Sequence, residues 1–250
     1  KLAAEVLHCP PQDVHVISGD TDHALFDKGA YASSGTCFSG NAARLAAENL
    51  REKILFHGAQ MLGEPVADVQ LATPGVVRGK KGEVSFGEIA HKGETGTGFG
   101  SLVGTGSYIT PDFAFPYGAN FAEVAVNTRT GEIRLDKFYA LLDCGTPVNP
   151  ELALGQIYGA TLRAFGHSMS EEIIYDAEGH PLTRDLRSYG APKIGDIPRD
   201  FRAVLVPSDD KVGPFGAKSI SEIGVNGAAP AIATAIHDAC GIWLREWHFT

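Results

Sequence analysis

The chain has 250 residues, of which 44% are hydrophobic, and its 30 acidic against 21 basic residues give a net charge of −9. An apolar fraction of this size is ample for a packed core, so we expect a globular protein of one large or two modest domains. The negative charge argues against nucleic acid or an anionic membrane as the main partner, and no basic run offsets it. A small molecule or another protein is therefore the expected partner.

No membrane span is expected, because Gly, Pro or a charge breaks every apolar stretch before it reaches about 18 residues. The first residues also lack the basic and apolar segments of a signal peptide, which leaves the cytoplasm as the default location. The chain opens inside an amphipathic helix, with Leu2, Val6 and Leu7 along one side and no initiator Met before it. We therefore expect an N-terminally truncated chain or one half of a split subunit.

In the first half, 13–18 alternates as a short strand, and a long polar loop follows it and leads into a helix of about 17 residues within 41–59. Two or three short strands are predicted over 66–93, with a turn at GKKGE. The Gly-rich stretch 93–108 has neither the P-loop spacing nor a GxGxxG between a strand and a helix. It is interpreted as a flexible surface loop.

The second half has stronger local signals. The stretch 119–145 predicts a hairpin around the turn NTRTGE, and Asn149 followed by Pro150 marks a helix start. A strand is predicted at 202–207, and a last helix from about Pro230 to Ala239. Strands alternate with helices without a fixed repeat, so an α+β or α/β body is expected.

The four cysteines are far apart in the sequence and form no CxxC motif or Cys/His pair at the spacing of a zinc or iron–sulfur site. We predict free thiols that are mostly buried. The scattered histidines also lack the pairing of metal ligands, and there is no GxSxG motif of a serine hydrolase.

Three segments are candidates for chemistry, and the first precedes the helix at 41–59. Its hydroxyls and small residues suit a phosphate or another anionic ligand, although ordinary helix capping is the better explanation on these residues alone. These residues are Ser33, Ser34, Gly35, Thr36, Ser39 and Gly40.

The second segment follows Asp143, where a strand ends and a Gly turn leads into a helix. Gln156 lies on the first turns of that helix between Gly155 and Gly159, which leave room for a ligand. Close packing of the helix on a neighbour is the alternative for the glycines, and a turn-forming role is the alternative for Asp143.

The third segment contains Glu222 in a loop of small residues, close to Lys218, Ser219 and Ser221 and just before a helix. A carboxylate that is partly desolvated there would have a raised pKa and would suit a general base near neutral pH. The alternative is an acid that only meets the dipole of the following helix.

Taken in order, the chain resembles the C-terminal part of the molybdenum-cofactor subunit of the xanthine dehydrogenase and aldehyde oxidase family, the molybdenum hydroxylases. The resemblance covers essentially the whole chain, in the stretches 29–50, 131–176, 187–207 and 213–242. It implies an α+β fold, the second molybdopterin-binding domain of this type. That domain is expected over 1–250, with two mixed α/β subdomains at about 1–115 and 116–250.

The resemblance also assigns cofactor contacts. The loop before the first long helix would contact the molybdenum centre and the pterin through backbone and hydroxyl groups, with the Ala32 backbone near the metal. Two residues of the later helix would contact the pterin or its phosphate end. The contact residues are Ala32, Ser33, Ser34, Gly35, Gly155 and Gln156.

Glu222 corresponds to the active-site glutamate of the family. The implied reaction hydroxylates an aldehyde or an N-heterocyclic or aromatic substrate with water as the oxygen source, and Glu222 is its general base. The family motif usually has Gly before this Glu and Pro after it, whereas here Ser221 and Ile223 occupy those positions. This departure leaves the substrate open.

The implied cofactor is molybdenum–molybdopterin, with the pterin dinucleotide form included. Iron–sulfur clusters of the 2Fe–2S type and FAD are expected on partner chains or domains of a hetero-oligomer, because this chain has no clustered cysteines. Two alternatives stay open: a dehydroxylating enzyme like hydroxybenzoyl-CoA reductase, and a non-catalytic assembly subunit. A stand-alone hydrolase or binding domain that uses the Ser-rich loop is a third.

We expect the isolated chain to bind the molybdenum cofactor weakly or not at all. It lacks the GGGFGG-like segment and the GQG turn that the family's first cofactor-binding half supplies, so another chain or domain must provide them. Metal analysis and pterin fluorescence of the purified isolated chain check this. Stoichiometric molybdenum and pterin on that chain would refute it.

Overall fold

The computed structural model describes residues 1–24, 26, 27, 29–95, 98–110, 112–246, 248 and 249. The chain divides into two units, the first of Lys1–Phe113 and Lys211–Phe215, the second of Ala114–Asp210 and Gly216–Thr250. None of the helices in the described ranges combines the length and apolar character that crossing a lipid bilayer demands. All four cysteines are free thiols, and Cys37 and Cys144 are buried.

The first unit packs helices on a small antiparallel sheet of strand order β1-β2-β3. This sheet confirms the short strands predicted over 66–93. Ile54, Val77 and Ile89, from α2, β2 and α3, are buried in one apolar cluster that joins these elements. The helices and strands of the unit are α1 (Leu2–Leu7), α2 (Gly35–Leu62), β1 (Gln70–Ala72), β2 (Val76–Gly79), β3 (Gly82–Ser85) and α3 (Phe86–Glu94).

Helix α2 is longer than the sequence predicts. It has 28 residues instead of about 17, and it ends at Gly63 in the left-handed conformation. Its first turns contain Ser, Thr and Gly, which favour loops in an isolated chain. Because Cys37 and Gly40 are buried there, with Gly40 against Leu2 and Pro214, tertiary packing overrides that preference.

Two local predictions in the first unit are wrong. No strand forms at 13–18, where Val16 and Ile17 are exposed, because alternation alone does not supply the neighbouring strand that a ladder requires. The prediction also missed helix α3. Ser85 and Glu88 form a capping box at its start, so the S-x-x-E spacing signalled this helix in the sequence.

The Gly-rich stretch is a surface loop at 98–108, as predicted, and most of these residues are exposed; Gly96 and Thr97 lie outside the described residues. A Cβ on Gly104 would lie 2.3 Å from the Ala46 carbonyl oxygen, and one on Gly106 would lie 2.4 Å from the Ala46 amide nitrogen. The glycines therefore allow the backbone to lie directly on α2.

The second unit is a three-stranded sheet of order β4-β5-β6 covered by helices. Strand β4 pairs with β5 as the predicted antiparallel hairpin, and β6 pairs with β5 in parallel. Helices with separate antiparallel and mixed sheets confirm the α+β class. The elements are β4 (Gly118–Val126), β5 (Ile133–Asp143), α4 (Pro150–Met169), α5 (Leu186–Tyr189), β6 (Asp200–Val206), α6 (Ile223–Asn226) and α7 (Ala228–Cys240).

Helices α4 and α7 share one core with β5. Phe138 of β5, Ile157 of α4 and Ile232 of α7 are fully buried in it. Helix α4 begins as predicted, because the Asn149 side chain accepts a hydrogen bond from the Leu152 amide at 3.3 Å. The core thus holds the C-terminal end of β5 and the start of α4 in fixed positions.

Substitution of Gly58 tests the packing of the first unit. A Cβ there would lie 2.7–2.9 Å from all three side-chain carbons of buried Val77. Gly58→Ala should therefore lower the free energy of unfolding by about 1–3 kcal/mol. Urea unfolding measures the change. Gly87→Ala is the matched helical control: its Cβ would meet only the Ser85 Oγ at 3.9 Å, and no loss is expected. Equal stability of both variants would contradict the packing.

Candidate functional site

Residues 31–34 form a tight turn directly before α2 in the first unit. The Ser34 amide donates to the Tyr31 carbonyl oxygen at 3.0 Å, and both central residues, Ala32 at φ 48° and Ser33 at φ 51°, are left-handed. A non-glycine residue in this region costs about 1–3 kcal/mol, and two in succession are unusual. Such strain is concentrated at functional sites, and here it coincides with the predicted cofactor loop.

Ser34 is the N-cap residue of α2, but its hydroxyl does not cap the helix. The hydroxyl donates instead to the Tyr31 carbonyl oxygen at 2.6 Å and closes the turn. The Ser34 side chain therefore does not cap α2.

Gly155 and Gln156 are exposed on the first turns of α4 in the second unit. A Cβ on Gly155 or Gly159 would meet nothing within 4 Å among the described residues. Close helix packing therefore does not explain these glycines within the described chain. They leave an open strip of helix beside the Gln156 amide.

Glu222 is the exposed N-cap residue of the short helix α6, in the same unit as Gln156. The structure does not show the partial desolvation that the sequence suggested, because the carboxylate is at the surface of this chain. The backbone just after it is anchored. A Cβ on Gly224 would lie 2.6 Å from the Ala160 Cβ, and the Thr161 hydroxyl donates to the Gly224 carbonyl oxygen at 3.4 Å.

The segment before Glu222 is fixed by a buried ion pair. Lys218 Nζ lies 2.7 Å from Asp143 Oδ2, and the side chains are only 6% and 9% exposed. The other oxygen, Asp143 Oδ1, accepts hydrogen bonds from the Ser208 hydroxyl at 2.6 Å and the Gly145 amide at 2.7 Å. Both charges are therefore compensated, as burial requires.

Backbone contacts reinforce the pair. The Lys218 amide donates to the Cys144 carbonyl oxygen, and the Thr146 amide donates to the Gly216 carbonyl oxygen, both at 2.8 Å. A Cβ on Gly145 would lie 1.9 Å from the same Gly216 oxygen, so only glycine permits this approach. The end of β5 and the segment before Glu222 thus form one connected structure.

The pair determines the protonation of Asp143. Burial by itself raises the pKa of the Asp143 carboxyl, but the hydrogen bonds from Lys218, Ser208 and the Gly145 amide outweigh burial and hold that pKa below its ordinary value. Burial, followed by the nearby Asp143 charge, raises the pKa of the Cys144 thiol. Asp143 is therefore a charged anchor next to a neutral thiol.

Sequence reasoning named Asp143 and Lys218 separately but missed their contact. The two residues are 75 positions apart, and no local rule pairs them. The available signal was a lysine among small apolar residues, since a buried lysine almost always has an acidic partner. An aspartate at the end of a buried strand was the matching candidate.

The chain is similar to several known proteins. Residues 1–198 match the family described as the molybdopterin cofactor-binding domain. Over 250 residues the chain is 99% identical to "Probable hypoxanthine oxidase XdhD" of Escherichia coli (strain K12), covering 100% of this chain and 26% of that protein. The chain thus spans about a quarter of this relative.

Two more distant relatives extend the comparison. The "6-hydroxypseudooxynicotine dehydrogenase complex subunit gamma" of Paenarthrobacter nicotinovorans is 29% identical over 245 residues, covering 96% of this chain and 31% of that protein. A solved structure of reconstituted CO dehydrogenase from Oligotropha carboxidovorans has a TM-score of 0.86 and 28% identity, covering 96% of this chain and 30% of that chain.

Substitution of Asp143 tests the buried pair by its pH dependence. Because the folded-state pKa is depressed, the Asp143 contribution to stability is present above the unfolded-state pKa and is lost as pH falls through the folded-state pKa. Asp143→Asn should cost about 3–5 kcal/mol near neutral pH, since it leaves a buried lysine unpaired. The difference from wild type should shrink below about pH 4.

Urea unfolding midpoints across the acidic range measure this difference. Asp136→Asn is the control, because Asp136 pairs with Arg134 at 2.6 Å on the surface of the same strand. Surface pairs contribute little, so its stability should stay within about 1 kcal/mol of wild type across this range. A difference for Asp143→Asn that is independent of pH would contradict the assignment.

Proposed function

The chain belongs to the molybdopterin cofactor-binding domain family, and on that premise we propose that it is the C-terminal part of the molybdenum subunit of an oxidoreductase. The proposed enzyme is of the xanthine dehydrogenase and aldehyde oxidase type, which the sequence motifs indicated. It hydroxylates a small molecule with water as the oxygen source. When bound, the molybdenum–molybdopterin cofactor supplies the two-electron redox chemistry that side chains lack.

The strained turn at Ala32 and Ser33 carries this proposal. Left-handed residues without glycine are maintained only where the surroundings enforce them, and ligand sites are where they concentrate. In the proposal, backbone groups of 32–35 and the Ser33 and Ser34 hydroxyls contact the metal centre and the pterin. Backbone amides at the start of a 28-residue helix suit the negative charge of that cofactor.

Residues of the second unit also fit a polar cofactor. The strip at Gly155 and Gly159 has room for a group that a side chain would exclude, and Gln156 offers an amide donor and acceptor beside it. The Ser219 hydroxyl is buried and has no hydrogen-bond partner among the described residues. An unsatisfied buried hydroxyl costs about 1–3 kcal/mol, so this position carries an energetic penalty in the described chain.

Glu222 is the proposed general base. Its carboxylate accepts the proton of the water-derived nucleophile as the nucleophile bonds to an electron-poor carbon of the substrate. The C–H bond of that carbon breaks, and its hydrogen and electron pair would go to the bound cofactor as oxidant. Because the carboxylate is exposed in this chain, the nucleophile and the substrate can approach it. The anchored backbone on both sides, at Lys218 and at Gly224, fixes the start of α6 and therefore the position from which the carboxylate acts.

We propose an N-heterocycle as the substrate class, because the nearly identical relative is named for hypoxanthine. Ring carbons between two nitrogens are electron-poor and suit attack by an oxygen nucleophile. Electrons then leave through 2Fe–2S and FAD centres on partner chains or domains. The name of the Paenarthrobacter relative, a subunit of a complex, supports such an assembly.

Replacement of Glu222 in the full-length protein tests the function. Glu222→Gln keeps size and polarity but removes the base, so hypoxanthine-dependent reduction of an artificial acceptor should fall by about 100- to 10,000-fold per molybdenum. Molybdenum and pterin content should stay at the wild-type level. Steady-state kinetics with metal analysis measure both quantities.

Glu151→Gln is the matched control, because Glu151 is also an exposed acid at a helix N-terminus. If Glu222 only meets the dipole of α6, both variants should behave like wild type. Wild-type turnover of Glu222→Gln with full molybdenum content would therefore eliminate the general base. Loss of molybdenum in that variant would instead assign Glu222 to cofactor binding.

A further inference from the structure

The link between Lys218 and Glu222 is short and crosses from the core to the surface. Lys218, Ser219 and Ile220 are buried, whereas Ser221 and Glu222 are exposed. The chain therefore leaves the core at one point, directly before the carboxylate. An interaction that holds Lys218 in place therefore also restricts where the chain reaches the surface before Glu222.

The Asp143 carboxylate is the group that fixes Lys218. It receives donors from three places: the Lys218 side chain, the Ser208 hydroxyl after β6 and the Gly145 amide after β5. These bonds join the ends of two neighbouring parallel strands to the segment that carries Glu222. Bonds to a charged group are short and directional, so they define the position of the segment more closely than apolar contact does.

The Lys218 ammonium also lies near the aromatic ring of Tyr117. The ammonium lies 5.3 Å from the centroid of the Tyr117 ring, and the Tyr117 carbonyl oxygen accepts a hydrogen bond from the Asp143 amide at 2.8 Å. The lysine is thus held between the carboxylate and an aromatic face. A neutral side chain of the same length would fill the volume but would lose both interactions.

We propose that Lys218, through its buried ion pair with Asp143, is a positioning residue that sets the location of the Glu222 carboxylate. This inference rests on the proposed function, because it assigns Glu222 the role of base. Lys218 is buried, and its ammonium is paired with Asp143, so in this proposal it acts through the segment and not on the substrate. Its contribution is to keep the segment before α6 in one place while the exposed carboxylate accepts a proton.

The test uses the full-length enzyme with Lys218→Met, which keeps the apolar stem and removes the charge. Misplacement of a catalytic group by about 1 Å can cost about 100-fold in rate, so kcat per molybdenum should fall by about 10- to 100-fold with KM nearly unchanged. Amide hydrogen exchange at 219–222 should become at least about tenfold faster, because the anchor is lost. Lys218→Arg should restore most of both, since guanidinium also donates to carboxylate.

Lys137→Met is the matched control. Lys137 pairs with Glu123 at 2.9 Å on the exposed face of the same sheet, so its loss should change neither kcat nor exchange at 219–222. If Lys218→Met does not assemble, Ser208→Ala is used instead, because it removes one donor to Asp143. It should also lower kcat and speed exchange at 219–222, by smaller factors.

Two results overturn the positioning role. One is Lys218→Met with wild-type kcat per molybdenum and only a lower thermal midpoint, which would leave the pair purely structural. The other is unchanged exchange at 219–222, a readout that does not depend on activity. Glu222→Gln is measured in parallel: if it turns over normally, the proposed function fails, and if it is slow while Lys218→Met is not, only the positioning inference fails.

Discussion

The buried ion pair of Asp143 and Lys218 is the constraint on which the second unit's candidate site depends. Removing a carboxylate and an ammonium from water costs several kcal/mol for each ion, and only full pairing offsets it. The Ser208 hydroxyl and the Gly145 amide complete that pairing. The energetic penalty for an imperfect fit makes alternative positions of the segment before Glu222 costly. The cost of breaking the pair therefore restricts the segment before Glu222 to positions in which both charges stay paired.

Elements whose signals are local could be predicted from the sequence. Asn149 and Pro150 mark the start of α4, and Gly241 ends α7 in the left-handed conformation. Such helix ends can be predicted because a cap depends on only a few neighbouring residues. The β4–β5 hairpin followed from its turn. The sequence did not show which residues of β4 face the core along its whole length. The register shift between Glu123 and Val124 breaks the alternation of side chains in this strand.

Features set by contacts distant in sequence could not be predicted this way. The alternation at 13–18 predicted a strand, but no neighbouring strand is present in the described part of the chain to pair with it. The close approach of Gly104 and Gly106 to α2 is likewise a contact that the sequence does not show. The candidate site divides in the same manner. The resemblance identified Ala32 and Glu222 as positions, but the strain at Ala32 and the anchor beneath Glu222 are three-dimensional facts that no residue spacing encodes.

Ile223 stands where the family motif usually has a proline, and this difference changes how the chain is restrained after Glu222. A proline after the glutamate, as in the family motif, would occupy the first position of α6, where its fixed φ suits a helix start. Ile223 lacks that rigidity, but its half-buried side chain packs against the apolar core of the second unit. Side-chain packing thus replaces a backbone restraint directly after Glu222. The restraint directly after Glu222 is therefore a side-chain contact, and the restraint before it is the buried ion pair of Lys218.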